Sequence, residues 1–372
     1  MTAEVAATST SIAASRPWRA VFAVPAVAAL LAGLDGALSL LGVWSPVPGD
    51  RTAEAHGSLM TLGFLGTLIA LERAVALRRR AAYSAPACLS AGALLMLAPH
   101  TRTAGAVLLV VGAAVLVAVY GALWRRRYDQ AVVVQGLGAV LALGAAICLL
   151  GGVPVQSVVP WLAGFLVLTI AGERLELATL HMPPHAGRAL VLLAASVGCG
   201  ALIALLWPAS TVLFGVVLAG TAAWLVRFDV ARRTVRAGEP ARFMACAMLA
   251  GQAWLVVAAS LWLVTDPAST SEAVYDATTH AVFLGFAMSM VMAHAPVILP
   301  AVVRIPLSHH RGMYLPLLLL HAGLVVRLWL GDALGLRLAW QVGGVVTVLS
   351  LLGFLAAVGW SLIRTGDKRG AR

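Results

Sequence analysis

Between Glu54 and Glu72 the chain carries no charged side chain, and the run closes on Glu72-Arg73 and the basic cluster Arg78, Arg79 and Arg80. Roughly twenty apolar residues at ~1.5 Å rise per residue cover the ~30 Å hydrocarbon layer of a bilayer. Such runs recur along the whole sequence, separated by short loops rich in arginine. Inside hydrocarbon every backbone polar group must be satisfied within its own element, so a chain of these runs folds as an all-α membrane bundle.

Composition agrees. With 61% hydrophobic and 11% charged residues and a mean hydropathy of +0.94, a chain of 372 residues has too little polar surface for a soluble globule. The net charge of +11 does not signal nucleic acid, because the arginines lie between apolar runs as the positive-inside rule requires. Membrane lipid is the partner implied. Cys88, Cys148, Cys199 and Cys246 each fall within an apolar run without CxxC spacing, so they read as small buried packing residues.

Apolar length predicts twelve transmembrane helices, near 18–43, 54–77, 82–99, 103–124, 130–151, 157–180, 187–207, 209–227, 241–265, 274–300, 313–331 and 337–363. Residues 1–15 read as a disordered cytoplasmic tail, 16–364 as a single transmembrane domain and 365–372 as a second cytoplasmic tail. Counted by alternate loop, most Lys and Arg fall on one side, from Arg16 and Arg19 through Arg304 to Arg364, Lys368, Arg369 and Arg372. The other side holds only Arg51, Arg102 and Arg337, which places both termini in the cytoplasm of a multi-pass protein of the cell's inner (plasma) membrane. Tryptophans follow the same division, with Trp44, Trp161, Trp207, Trp262, Trp329 and Trp340 at outer ends, Trp18, Trp124, Trp224 and Trp360 at inner ends, and Trp254 mid-span.

An internal repeat is visible. GFLGTLIALERAVAL, from Gly63, aligns without gaps on GFLVLTIAGERLELA, from Gly164, and more distantly on GFAMSMVMAHAPVIL, from Gly285, where His294 takes the place of Glu72 and Glu173. Helices two, six and ten are then equivalent, which implies three four-helix units around a pseudo-threefold axis.

His56 enters helix two and His280 enters helix ten at nearly the same depth. At helical spacing His56, Met60, Gly63, Phe64 and Thr67 share a face, as do His280, Leu284, Ala287, Met288 and Val291. Gly57, Gly63 and Gly66 leave room for a helix or a flat ligand. The two imidazoles are either axial ligands to a porphyrin or interfacial histidines facing water and loop carbonyls. Glu72 lies about 24 Å deeper than His56 at helical rise, so Glu72, Glu173, Glu176 and His294 gather at the inner face, with Arg73 and Arg174 as their partners. That cluster is a structural ring of ion pairs or a path for protons or ions. His321, mid-membrane, is a second metal ligand, a donor to a helix carbonyl, or a partner of Asp35, Gln135 or Gln252. Arg327, two turns above His321, makes with Arg51 and Arg337 a sparse outer basic set suited to haem propionates, Arg51 and Arg337 being alternatively solvated loop charges. Met288, Met290 and Met292 alternate and read as core or lipid-facing filler. His181 and His185, in HMPPH, read as a turn, and His100, His309 and His310 show no metal spacing.

Twelve spans in three units of four, the HGxxM of His56, Gly57 and Met60, and a histidine entering helix ten together resemble subunit I of the haem-copper oxidases. HGSLMTLGFLGTLIALERAVAL is more similar to the NnrS-type membrane haem proteins linked to nitric oxide stress. As architecture the resemblance covers nearly the whole chain. It implies a six-coordinate haem b near the outer face, held by His56 and His280, and a role in electron transfer or in binding nitric oxide or a related small ligand. The departures are specific. Thr278 and Val282 flank His280 where the oxidases carry a second helix-ten histidine, and helices six and seven lack the copper-ligand histidines, which excludes oxygen reduction. With no CxxCH motif and no soluble domain, the electron donor is a separate redox partner protein. Two rival readings remain, a haem-free copper or solute transporter using His294, His321 and the inner carboxylates, and a membrane anchor for a redox partner.

Overall fold

The computed structural model describes residues 21–47, 50–207, 210–267, 270–303 and 310–370, with side chains for all of these except Leu180, 301–303 and 362–370. The principal helices are α1 (Ala23–Leu40), α2 (Arg51–Leu77), α3 (Ser84–Leu95), α4 (Arg102–Arg127), α5 (Gln130–Leu150), α6 (Val155–Ala178), α7 (Pro184–Leu206), α8 (Thr211–Phe228), α9 (Ala241–Val264), α10 (Glu272–Pro300), α11 (Arg311–Ala333) and α12 (Arg337–Gly370). Among the described residues, eleven helices are long and apolar enough to cross a membrane. Expectations about the tail at 1–15, about Arg16, Trp18, Arg19, Arg304, His309 and Arg372, and about the side chains of Arg364, Lys368 and Arg369 lie outside what is described.

The shortfall from twelve is at α3. The run predicted at 82–99 contains an α-helix of 12 residues between two 3-10 turns, Arg80–Tyr83 and Pro99–Thr101, so its regular part is about 18 Å long. Its course is fixed by its neighbours. Glu54 near the start of α2 meets Arg102 at the start of α4 at 2.7 Å, and the Leu77 carbonyl ending α2 accepts a hydrogen bond from Arg126 near the end of α4 at 2.9 Å. The two helices therefore run parallel, and α3 returns between their opposite ends. It does so in close backbone contact with α4, since a Cβ at Gly92 would stand 2.8 Å from the Gly105 carbonyl oxygen.

Helix ends follow local chemistry. Asp129 caps α5 by accepting the Ala131 N–H, and Ser271 caps α10 by accepting the Val274 N–H. Both α2 and α4 stop at a residue in the left-handed region, Arg78 at φ 58° and Tyr128 at φ 51°, a conformation that ends a helix at a small steric cost.

Helices α2, α6 and α10 form the centre of the bundle: 72%, 78% and 67% of their span residues are buried, against 33–50% in the other eight spans. Two of these central helices contain a π segment, Leu59–Gly66 in α2 and Ala281–Met288 in α10. The alignment of Gly63-Phe64 on Gly285-Phe286 superposes the two segments residue for residue. At the aligned position α6 remains α-helical and carries Pro160 instead. A third π segment, Val326–Ala333, ends α11. π turns of this kind concentrate at functional sites.

Several sequence expectations need correction. Cys199 is exposed and Cys88, Cys148 and Cys246 are only partly buried, so the cysteines are not core residues. Trp262 packs edge-on against Phe214 in the core, and Trp224 is buried with its N–H on the Ala186 carbonyl at 2.9 Å. Neither is an exposed interfacial anchor, unlike Trp44, Trp207 and Trp329. Met288, Met290 and Met292, by contrast, are all buried and agree with the core alternative expected for them.

Candidate functional site

Two polar regions interrupt the apolar bundle, one at the His56 end and one at the Arg73 end. At the first, each histidine sits at the start of a π segment: His56 three residues before Leu59, and His280 immediately before Ala281. His56 Nδ1 lies 2.8 Å from the carbonyl oxygen of Gly33 on α1. His280 Nδ1 lies 2.8 Å from the Asp276 carbonyl oxygen and 3.1 Å from its carboxylate Oδ1. An oxygen acceptor requires the proton on Nδ1, so both rings are held in the tautomer that leaves Nε2 with its lone pair. Among the described residues neither Nε2 has a protein partner. The His56 ring lies within electrostatic range of His280, Arg327 and Asp276, so the helices do bring the two imidazoles into one region.

Asp276 organises this region. Its carboxylate receives Arg327 twice, Nε at 2.9 Å and NH2 at 2.6 Å, as well as the Trp340 indole N–H at 3.3 Å. The Arg327 guanidinium also stands 5.3 Å from the centre of the Trp340 ring. Asp332 lies beside Asp276, and its Oδ2 is buried without a hydrogen bond. A carboxylate behind a histidine Nδ1–H orients the ring and raises the basicity of Nε2. Sequence reading missed Asp276, although its place one helical turn before His280 was a usable signal. Arg327, expected to face a ligand, is instead committed to Asp276. Arg51 and Arg337 are exposed, with no ion pair among the described residues.

The helix faces expected from sequence change once the π segments are present. A π turn takes more residues than an α turn, so positions beyond Leu59 and Ala281 drift off the stripe drawn from His56 or His280. Met60 packs on α1, where a Cβ at Gly33 would stand 2.6 Å from its sulfur. Gly63 opens no room for a ligand, because a Cβ there would meet Ala93 of α3 at 2.6 Å and Ala29 of α1 at 3.2 Å. It serves helix packing. Gly36 does the same for the mount of His56: a Cβ there would fall 2.3 Å from the Thr52 carbonyl oxygen.

At the opposite end the expected inner cluster divides in two. Arg73, buried on α2, bonds Glu72, reaches Glu176 at 3.2 Å and Gln135 at 3.1 Å, and stands 3.8 Å from Glu173. Gln135 closes the group by donating to Glu176 at 3.2 Å. Arg174 belongs to a different set. It pairs with Asp229 through Nε at 3.0 Å and NH2 at 3.2 Å, and donates to His294 Nε2 at 3.0 Å. His294 Nδ1 is bonded to the Met290 carbonyl at 2.7 Å, so both its nitrogens are occupied. Asp229, whose side chain is fully buried, also accepts from Gln252 at 3.0 Å and from the Ala231 N–H at 2.9 Å. Sequence reading missed Asp229 because it falls in the loop after α8.

His321 meets none of the partners expected for it. Its Nδ1 accepts the Trp254 indole N–H at 3.0 Å, while Asp35 holds Thr52 and the Val47 N–H, Gln135 serves Arg73, and Gln252 serves Asp229. Among the described residues no three or more His, Cys, Asp or Glu side chains are grouped as they would be around a metal ion.

Residues 19–363 match a family described as a domain of unknown function, DUF8744. The chain belongs to that family. No curated protein matches it, and neither the NnrS-type proteins nor the haem-copper oxidases are matched as families.

Proposed function

We propose that this DUF8744 chain is an integral membrane haem protein, holding haem b between His56 and His280 and serving electron transfer or the response to nitric oxide or another small ligand. One observation carries the reading: two imidazoles in one region, each with Nδ1 committed and Nε2 left unpaired. His56 and His280 are partly buried and neither Nε2 is a sealed orphan, so both nitrogens are reachable by an incoming group, and two of the same kind suit a haem. The donor set fits haem b, since neutral Nε2 atoms are its common axial ligands and Asp276 supplies the carboxylate behind one of them. When bound, such a haem supplies one-electron redox chemistry. Arg51 and Arg337, exposed and without an ion pair among the described residues, are cations suited to propionates.

The topology that goes with this reading has twelve crossings, α3 included, with both termini in the cytoplasm of the cell's inner membrane. It is supported by the parallel course of α2 and α4 and by the distribution of arginines. The pseudo-threefold arrangement is supported by the central burial of α2, α6 and α10 and by the matching π segments of α2 and α10.

Absorption spectra of the purified full-length protein, oxidised and reduced, test the proposal. A low-spin b-type spectrum is expected, abolished or converted by His56→Ala and by His280→Ala and unchanged in His100→Ala. A wild type without a Soret band, even when expressed with ample haem, would end this reading.

A further inference from the structure

The group around Arg73 does not balance. Three carboxylates, Glu72, Glu173 and Glu176, face one guanidinium, and the neighbouring Arg174 is taken up by Asp229 and His294. Glu72 and Glu176 are each hydrogen-bonded to Arg73 and partly accessible, with side chains 24% and 34% exposed. Glu173 is placed differently. It is about nine-tenths buried on the central helix α6, accepts no hydrogen bond among the described residues, and its contact with Arg73 is 3.8 Å, too long for one.

A second group points into the same place. The Tyr120 hydroxyl, from α4, is buried without a hydrogen-bond partner and lies within electrostatic range of Arg73 and Glu173. Arg73 Nε is likewise buried and unpaired. The groups facing Glu173 are therefore Glu72 and Arg73 of α2, Tyr120 of α4, Gln135 of α5, and Glu176 and Arg174 of its own helix. None of them donates a hydrogen bond to it.

A buried carboxylate without donors is far costlier than the neutral acid. The missing counter-charge is either a metal cation or a proton. The carboxylates are spread around a guanidinium and do not converge as ligands would around an ion, whereas a proton needs a single oxygen. We infer that the Glu72–Glu173–Glu176 group is a proton-binding site, with the proton seated on Glu173 and exchanging through the partly exposed Glu72 and Glu176. Binding is the reversible reaction of the Glu173 carboxylate with a hydronium ion to give the carboxylic acid and water. The inference is independent of haem.

Infrared spectra of the purified full-length protein test it. At neutral pH the wild type should show a carboxylic-acid C=O band above the amide bands that shifts in D2O. The band should be missing from Glu173→Gln and retained in Glu72→Gln. Glu173→Gln should also melt no lower than the wild type, because glutamine has the shape and neutrality of the acid. No such band in the wild type, a band unchanged by Glu173→Gln, or a Glu173→Gln variant that melts lower or fails to fold would each overturn the assignment, the last by showing that the negative charge is needed.

Discussion

His280 and His294 lie fourteen residues apart on the same helix, and the protein treats them in opposite ways. His294 has both nitrogens engaged, by Arg174 and by the Met290 carbonyl, inside a network where Asp229 and Gln252 complete the pairing. His280 has one nitrogen fixed from behind by Asp276 and the other left open, and His56 likewise has one nitrogen fixed by the Gly33 carbonyl and the other left open. Full pairing is what a structural polar network needs in low dielectric, because each unpaired member forfeits its desolvation cost. A nitrogen held in one tautomer and left accessible is what the proposed haem ligation would use. Substitutions at the two ends of the bundle should therefore differ in what they disturb.

The largest effect on stability is expected at Arg174. Replacing it by Gln leaves the fully buried Asp229 carboxylate with only Gln252 and a backbone N–H, and breaking a buried pair from one side costs about 3–5 kcal/mol. The double variant Arg174→Gln, Asp229→Asn removes the stranded charge and should recover most of that loss. Thermal melts of the single and double variants measure it; equal losses in both would mean that the network's contribution is not one of charge pairing.

Next comes Asp276→Asn. The Arg327 guanidinium, 6% exposed, loses its counter-charge, for about 2–3 kcal/mol, less than at Arg174 because Asp276 is partly accessible. The His280 ring keeps the Asp276 backbone carbonyl, so the spectrum of the proposed haem should persist. Its midpoint potential should rise, since loss of the carboxylate makes the imidazole a poorer donor and favours the reduced iron. A redox titration with unchanged potential would remove Asp276 from the site and leave it as a partner of Arg327 alone.

Glu72→Gln is expected to cost less, about 1–2 kcal/mol, because Arg73 retains Glu176 and Gln135. A loss as large as that at Arg174 would show that Glu72 is the principal counter-ion of the Arg73 group.

How much of this was legible in the sequence depended on whether the signal was local. Helix positions followed from apolar length: 130–151 was expected and Gln130–Leu150 is found, 241–265 was expected and Ala241–Val264 is found. The gathering of Glu72, Glu173 and Glu176 beside Arg73 was readable from their depth along the helices, whereas the expected pairing of Arg174 with the same carboxylates is replaced by its pair with Asp229. Asp229 was not readable, since its approach to Arg174 depends on how the loop after α8 folds back. Nor were the π segments, because LMTLGFLG and AVFLGFAM are apolar all round and carry no periodicity to separate a π turn from an α turn. That ambiguity misplaced Gly63, which an α-helical stripe put beside His56 and which the structure turns toward Ala93.

The smallest effect on stability, and the sharpest contrast between the two ends, is expected from the histidines themselves. Without haem, His56→Ala gives up one hydrogen bond to Gly33, and His280→Ala gives up its bonds to Asp276 while leaving the Arg327 pair in place. Each change should cost about 1 kcal/mol, well below Arg174→Gln. With haem present the order reverses. A ligand that binds only the folded state adds RT ln(1 + [L]/Kd), about 2.7 kcal/mol at a hundredfold excess over Kd. The wild type should gain that increment and both variants should lose it along with the low-spin spectrum. Melting curves of apo and haem-loaded protein, run side by side on wild type, His56→Ala, His280→Ala and Arg174→Gln, separate the two roles. Arg174→Gln should still respond to haem from its lower baseline. If the apo histidine variants melt as low as apo Arg174→Gln, the two rings are structural members like His294, and the unpaired Nε2 atoms are not ligands held in waiting.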